Sequence, residues 1–431
     1  MKAIKTIKIR TKQANKGRDK ILRELINDWR RLVKFFLEKC FEHNAISRGK
    51  LHRVAYKVSK NIVPEGKWNS KYRYTAMNTA LSIYKSWKKL NGKNGTKKSP
   101  EIKKLFLKLY RETNGKGVYK LIEKNGKWFI KVSTSPRNHI VLPLIVSNYQ
   151  RKFLEMWKRG KIVLGEAYLK RNSDGSYEVH IAVKREEREK NFHRRLGVDI
   201  NEGNVTISVL DENRVIYATQ IDVSELSRLD YVYKMVRIRK LQKKFYRGHR
   251  PEGIPRKKIA IIRRYAKRWS SRKNHLVHNL AKYIVALATT FQARIVMEDM
   301  KNIKSRILNR GRKLNRRLAL ADFRKLQEFI EYKATWIGVP VVYIDPRKTS
   351  RICPICGLSV TGFSPREPFC ERYKIIWDRD FLASINIALR DVARDVRAEV
   401  PMKWISRRRV SANEVSIEGK ICAMKSRYSY K

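Results

Sequence analysis

The chain is poor in acid. Over 431 residues it carries 39 Asp and Glu against 100 Lys and Arg, a formal net charge of +61. Such self-repulsion opposes a compact state unless a polyanion neutralises it, which makes an ordinary metabolic enzyme a poor reading. Hydrophobic residues still make up 42% of the chain, enough for real cores, so a disordered basic tail is excluded. Long apolar runs are missing as well. The longest stretch without a charged residue, Ile352–Pro365, falls short of the ~20 residues that span a bilayer. Residues 1–12 alternate Lys with Ile and Ala and have neither an apolar signal core nor a small-residue cleavage site, so neither membrane insertion nor export is expected. Cysteine is scarce: there are 5 residues, too few for a disulfide framework, and Cys353, Cys356 and Cys370 lie close together. That pattern suits a reducing cytoplasm and a metal site. Nucleic acid is the partner this composition favours, with a ribosomal or chromatin protein as the plainest version of that idea.

The period-two alternation of residues 1–12 predicts a half-buried strand. Leu22, Leu25, Ile26, Trp29, Val33, Phe36 and Leu37 recur at helical spacing, and a second helical block covers about 75–90, ended by Gly and Asn at 91–95. The aromatics in these helices read as core rather than as base-stacking platforms, because helical periodicity is mainly a core signal. From 117 to 186 short β-like runs are separated by the turn signals Asn125-Gly126 and Asn172–Gly175, a small barrel or sheet that the 1–12 strand would complete. From Leu196 a new unit begins with three strand-like runs. A basic region at 234–273 follows, with 17 Lys or Arg and one acid, Glu252, interleaved with Phe245, Tyr246, Tyr265 and Trp269. Two basic helices joined at Pro251–Pro255 are expected there, facing a phosphate backbone. The residues assigned to that surface are Lys243, Lys244, Arg247, Arg263, Arg264, Lys267 and Arg268. A separate helix at about 271–290, a strand (ARIVMED), a basic loop with Gly311, a helix at about 321–337 stopped by Gly338, and a strand (VPVVYID) complete the approach to the cysteines. The final basic residues, with an Arg run at 407–409, read as an RNA-touching tail.

Acids being rare, three in apolar contexts stand out. Asp199 ends a β-run, Glu298 ends another, and Asp380 directly precedes a helix, where by itself it reads as an N-cap. In that order they are laid out like the site of an RNase H-like nuclease. Two Mg²⁺ (or Mn²⁺) ions about 3.5–4 Å apart require hard oxygen ligands of this kind for in-line attack on a phosphodiester. Asp299, Asp345 and Asp378 are neighbouring acids that compete for the same roles.

The surrounding words are more specific than the acids. GVDINEGNVTISVL at 197–210, IVMEDMKNI at 295–303, FIEYKATWIGVPVVYIDPRKTSRICPICG at 329–357 and DRDFLASINIA at 378–388 resemble the TnpB family of transposon-encoded RNA-guided nucleases, relatives of the type V CRISPR effectors. The resemblance is close in the C-terminal half and matches only the order of elements in the N-terminal half. It implies a multidomain α+β and α/β fold: an RNase H-like (RuvC) domain at 195–345 and 378–400, a zinc-ribbon insert that binds target nucleic acid at 346–377, an oligonucleotide-binding-like β-barrel (wedge) at 1–12 and 117–190 with an inserted helical recognition domain at 13–116, and a basic tail at 401–431. It also implies a guide RNA from the transposon end, cleavage of double-stranded DNA beside a short flanking motif, a prokaryotic, nucleoid-associated setting, and a transposase of the same element as a partner. Asp199, Glu298 and Asp380 take the metal-binding, catalytic roles by position. The other readings are a guide-directed DNA-binding repressor with weak or no cleavage, a general basic RNA-binding protein and a transposase.

The chain departs from the family pattern in two places. The first Cys-x-x-Cys knuckle is intact, but the second reads Cys370-Glu371-Arg372-Tyr373, with Tyr373 where the fourth Cys belongs and Lys374 where Gly usually follows. No histidine occurs after His278 to replace it. Zinc would then be held by Cys353, Cys356 and Cys370 with Asp378, Glu371 or a water, or the insert would be held by apolar packing without metal; Cys422 is a remote further thiol. Leu382 and Ser384 stand where Asn and Ala are typical, and neither position is a metal ligand.

Overall fold

The computed structural model describes residues 1–94, 100, 106–111, 117–245, 255–300, 323–364, 367–391, 397–400 and 409–411. Arg247, Tyr246, the Gly311 loop, Cys422 and nearly all of the tail lie outside the described residues. The chain divides into two units, Lys2–Glu186 and Glu187 onward, which together make a mixed α/β multidomain protein. No helix among the described residues is long and apolar enough to cross a membrane.

In the first unit β1 (Lys2–Thr11) is followed by α1 (Lys16–Glu42), α2 (Arg48–Ala55), α3 (Ser59–Ile62) and α4 (Lys71–Asn94). Then come β2 (Leu107–Leu109), β3 (Tyr119–Lys124), β4 (Lys127–Ser133), β5 (His139–Ile145), α5 (Asn148–Lys158), β6 (Val163–Arg171) and β7 (Tyr177–Glu186). The helix α5 interrupts a stretch expected to be β throughout, and α4 continues through Gly92 rather than ending there. The stripe of α1 packs on α4: Leu22, Leu25, Val33 and Phe36 are fully buried, and Trp29 donates to Thr75 Oγ1 at 2.8 Å. The strand order is β2-β6-β7-β1-β5-β4-β3, so β1 lies at the centre of seven strands. The N–H groups of Val118 and Tyr119 both donate to the Tyr110 carbonyl (2.9 and 3.1 Å), which brings the two outer strands together. At the β3–β4 turn Asn125 and Gly126 have φ of 51° and 69°, the left-handed pair that a two-residue hairpin requires.

The second unit is built on β8 (Arg194–Ile200), β9 (Asn204–Asp211), β10 (Arg214–Asp222), β11 (Ala293–Glu298), β12 (Val341–Ile344) and the short β16 (Arg409–Ser411), in the order β12-β11-β8-β9-β10-β16. Pairing is antiparallel from β8 to β9 to β10 and parallel from β8 to β11 to β12. Between β10 and β11 lie α6 (Ser224–Leu229), a π-helix (Asp230–Ile238), α7 (Arg239–Phe245) and α8 (Arg256–Thr290). The two helices expected on either side of residue 271 are a single helix, α8: nothing from Lys257 to Thr290 is a Pro or Gly, and Ser270-Ser271 alone does not stop it. Its first half is exposed and cationic, while Val277, Leu280, Ala281, Ile284 and Leu287 of its second half are buried in the core. Helix α9 (Phe323–Ile337) packs on α8 and ends as expected at Gly338. There φ is +77°, and Val339 and Gly338 donate to the Ala334 and Thr335 carbonyls. A three-stranded meander, β13 (Thr361–Ser364), β14 (Glu367–Cys370) and β15 (Ile375–Ile376), precedes α10 (Arg379–Leu389).

Helix α10 lies against β8 at Gly197. A Cβ at that glycine would sit 2.1 Å from the Ser384 carbonyl oxygen and 2.8 Å from the Ala388 nitrogen, both backbone atoms that cannot swing aside. Gly197→Ala is therefore expected to destabilise this unit by about 1–3 kcal/mol through overpacking, read as a lowered denaturation midpoint. An unchanged midpoint would show that α10 has room to retreat.

Candidate active site and metal centre

Strand β8 is paired antiparallel on one side and parallel on the other. Val198 is level with Met297, so Asp199 and Glu298 leave the sheet side by side at its C-terminal edge. In open sheets this edge, at the point where strand direction changes, is where functional groups gather. Asp380 arrives from the first turn of α10, which packs on β8 and β9. It is not the N-cap. That role belongs to Asp378, whose carboxylate accepts from the N–H groups of Asp380 (3.0 Å) and Phe381 (3.4 Å).

Neutral amides join the two aspartates. Asn201 Nδ2 donates to Asp199 Oδ2 at 2.7 Å and to Asp380 Oδ1 at 3.0 Å. Asn204 Nδ2 donates to the other oxygen of Asp380 at 2.8 Å, and Gln220 reaches the same oxygen at 3.4 Å. Both asparagines flank the tight β8–β9 turn, where Asn201 N–H donates to the Asn204 carbonyl at 2.9 Å. Glu298 is held separately. Thr349 Oγ1 donates to its Oε1 at 2.6 Å, and the buried Gln327 side chain donates to its backbone carbonyl at 2.7 Å. Thr349 is in turn fixed from α10: Asn386 Nδ2 donates to the carbonyls of Thr349 and Ile352, each at 2.7 Å.

Asn201, Asn204, Gln327, Thr349 and Asn386 were not singled out from the sequence. Each except Gln327 sits inside a segment quoted for the family resemblance, but a polar residue shows no periodicity that reveals where its side chain points. The two departures in α10 are absorbed by packing. Leu382 is fully buried, and the buried Ser384 hydroxyl lies 2.6 Å from that of Ser208.

Burial pushes the Asp199 carboxyl well above the usual carboxylate range, and the nearby charges of Glu298 and Asp380 push it further; Asn201 and Arg379 act against the shift. Burial also raises Glu298, opposed by Thr349 and Arg390 and assisted by Asp345. A buried carboxyl raised by two neighbouring acids suits a hard divalent cation, Mg²⁺ or Mn²⁺, for which oxygen donors are the right chemistry, although among the described residues only the cysteines have three ligand atoms within 4.8 Å of one another.

The second cluster is soft. The Sγ atoms of Cys353, Cys356 and Cys370 all lie within 4.8 Å of one another, with Cys356 and Cys370 3.6 Å apart, and Cys353 and Cys370 are buried. Three thiols at this spacing can hold a metal ion, and thiolate donors suit zinc. Of the proposed carboxylate ligands, Asp378 is committed to capping α10, and Glu371 is exposed.

The basic surface divides unevenly. Lys243, Lys244, Arg263, Arg264, Lys267 and Arg268 are exposed on α7 and α8; Arg264, Lys267 and Arg268, with Ser271 and Arg272, line a shallow concavity on one face of α8. Lys273, by contrast, is buried against Asp230 at 2.7 Å, and Trp269 donates to the same carboxylate at 2.8 Å. This part of the basic run holds α8 to the π-helix and does not face outward.

A family model described as Cas12f1-like, TNB domain matches residues 323–387, and one described as the uncharacterized protein MJ0013 family matches residues 25–113. The chain is 35% identical over 259 residues to the TnpB-like protein MJ0751 of Methanocaldococcus jannaschii, covering 60% of this chain and 89% of that protein. It is 29% identical over 244 residues to the CRISPR-associated endodeoxyribonuclease Cas12f2 of a Micrarchaeota archaeon, covering 51% of this chain and 41% of that protein. Its fold is similar to a chain in the cryo-EM structure of the Cas12f1–sgRNA–target DNA complex, with a TM-score of 0.58 at 16% identity over 87% of this chain and 82% of that one.

Because the folded protein holds the Asp199 proton more tightly than the unfolded chain does, metal-free stability should fall as pH rises from about 4 through the raised folded value. Asp199→Asn is expected to raise the melting temperature in chelator at neutral pH and to lose the stabilisation that Mn²⁺ confers on the wild type. Equal melting of the two proteins in chelator would show that neither burial nor the neighbouring acids penalise the Asp199 carboxylate.

Proposed function

Because the chain belongs to the TnpB family, we propose that it is an RNA-guided DNA endonuclease that cuts double-stranded DNA beside a short flanking motif by metal-assisted phosphodiester hydrolysis. The observation that carries this reading is the meeting of Asp199, Glu298 and Asp380, two from adjacent parallel strand ends and one from α10, with Asn201 bridging the aspartates. A protein that only bound nucleic acid would gain nothing from burying mutually repelling acids. The order of β12-β11-β8-β9-β10, antiparallel through β8–β10 and parallel through β11 and β12, supports an RNase H-like (RuvC) domain at 195–345 and 378–400. On the same reading residues 346–377 are the zinc-ribbon insert, 1–12 and 117–190 the wedge, and 13–116 the recognition domain. The partners are a guide RNA from the transposon end, the DNA target and a transposase of the same element.

Asp199, Glu298 and Asp380 would hold two Mg²⁺ or Mn²⁺ ions. When bound, these supply Lewis-acid polarisation of the scissile phosphate and of the attacking water. The rest falls to the chain's own groups. Asn201 and Asn204 fix both oxygens of Asp380, and Thr349 fixes Glu298, so that the carboxylates face the substrate without reorganising. The exposed cations of α7 and α8 would track a duplex backbone, while base pairing with the guide selects the target.

The test is cleavage of a plasmid library carrying randomised bases beside a guide-matched target, with the protein co-expressed with RNA from the end of its own element. Depletion of a short motif by the wild type and none by Asp199→Ala, which should still bind RNA and target, is the expected result. No depletion with target still bound would favour a guide-directed repressor. Replacing Arg264, Lys267 and Arg268 together by Ser should weaken nucleic-acid binding and flatten the dependence of log K on log salt by about 2–3, near 0.9 per lost phosphate contact. An unchanged slope would remove α8 from the interface.

A further inference from the structure

The two halves of the cysteine cluster share several backbone features. In the first, Cys353 N–H donates to the Leu358 carbonyl five residues on, and Gly357, after Cys356, turns the chain with φ of +76°. In the second, Cys370 pairs with Ile375, again five residues on, and Lys374, after Tyr373, turns the chain with φ of +54°. The thiol of Cys353 receives the N–H groups of Ile355 and Cys356, and that of Cys370 receives those of Arg372 and Tyr373. Residue 373 thus occupies the place that Cys356 occupies in its own knuckle. A left-handed backbone is unfavourable for lysine, yet the turn is kept at Lys374, so the knuckle survives although its fourth sulfur does not.

Among the described residues nothing nearby takes over the missing position. Tyr373 is 48% exposed, and a phenol is not among the donors that structural zinc takes. Asp378 caps α10, Glu371 is exposed, and among the described residues the group of possible ligands comprises the three cysteines alone. The corner beside Tyr373 is bordered by exposed Arg372 and Lys374, which favour an anion.

We propose that this cluster binds a thiophilic divalent ion, zinc above all, through three thiolates only, and that the position lost at Tyr373 is an open coordination site for a small exogenous ligand. Water fills it at rest, and a small thiolate replaces that water when present. The site differs in this respect from a closed structural zinc site, in which all four corners belong to the protein. The inference does not depend on nuclease activity and is tested without it.

The full chain is loaded with Co²⁺ and its absorption recorded for the wild type, Tyr373→Cys, Tyr373→Phe and Cys422→Ser. Thiolate-to-cobalt charge-transfer intensity should correspond to three sulfurs in the wild type, Tyr373→Phe and Cys422→Ser, and to four in Tyr373→Cys. Tyr373→Cys should also hold the ion at least about tenfold more tightly, since outer-shell partners of a metal ligand are already worth ~10–100-fold. Titrating 2-mercaptoethanol should move the wild-type spectrum towards that of Tyr373→Cys and leave that variant unchanged, a measurement on the wild type that does not depend on any variant folding. Four-sulfur intensity in the wild type that falls in Cys422→Ser, a spectrum altered by Tyr373→Phe, no response of the wild type to thiol, or no cobalt bound by the wild type would each overturn the proposal.

Discussion

The second unit depends on a single close approach, that of α10 to β8 at Gly197. The absence of a side chain there lets the helix backbone lie directly on the strand, within the space a methyl group would need. Two residues further along the strand is Asp199, and one turn back along the helix from Ser384 is Asp380. The contact therefore sets the separation of two carboxylates that are 181 positions apart in the chain. Asn201 can bridge them only because that separation is short.

The charge of the chain is handled by segregation. Helix α8 carries cations on its exposed first half and leucines, alanines and isoleucines on its buried second half, so one rigid rod serves both solvent and core. The transition is marked by Lys273, which is neutralised by Asp230 and covered by Trp269. A buried lysine without that partner would be costly, and one acid placed at the start of the π-helix removes the cost.

Much of this was legible in the sequence where periodicity or a turn signal carried it. The α1 stripe, the Asn125-Gly126 hairpin, the Gly338 stop and the strands that carry Asp199 and Glu298 at or next to their ends all follow from local patterns. The errors arose where local patterns compete. Asp378 and Asp380 are equally good caps on paper, and only the direction of entry into α10 decides between them. The continuity of α8 was hidden because a change from charged to apolar composition resembles a boundary, although no residue there breaks a helix. The amides around the carboxylates were illegible for a different reason: their partners lie on other strands and helices, and hydrogen bonds between distant segments leave no spacing to read. Tyr373 was visible as a departure, but its exposure and the preserved turn at Lys374 were not.

Asn386 gives the cysteine-bearing insert and the carboxylates a shared fastening. From the helix that supplies Asp380 it grips the carbonyls of Thr349 and Ile352, and Thr349 grips Glu298. The insert cannot swing away as a body without releasing the Glu298 carboxylate, so its pose and the readiness of the carboxylates form one thermodynamic variable. By linkage the dependence runs both ways. On the proposed reading, in which the carboxylates hold a cation, whatever docks on the insert and favours this pose improves their grip on it, and the cation stiffens the insert by the same free energy.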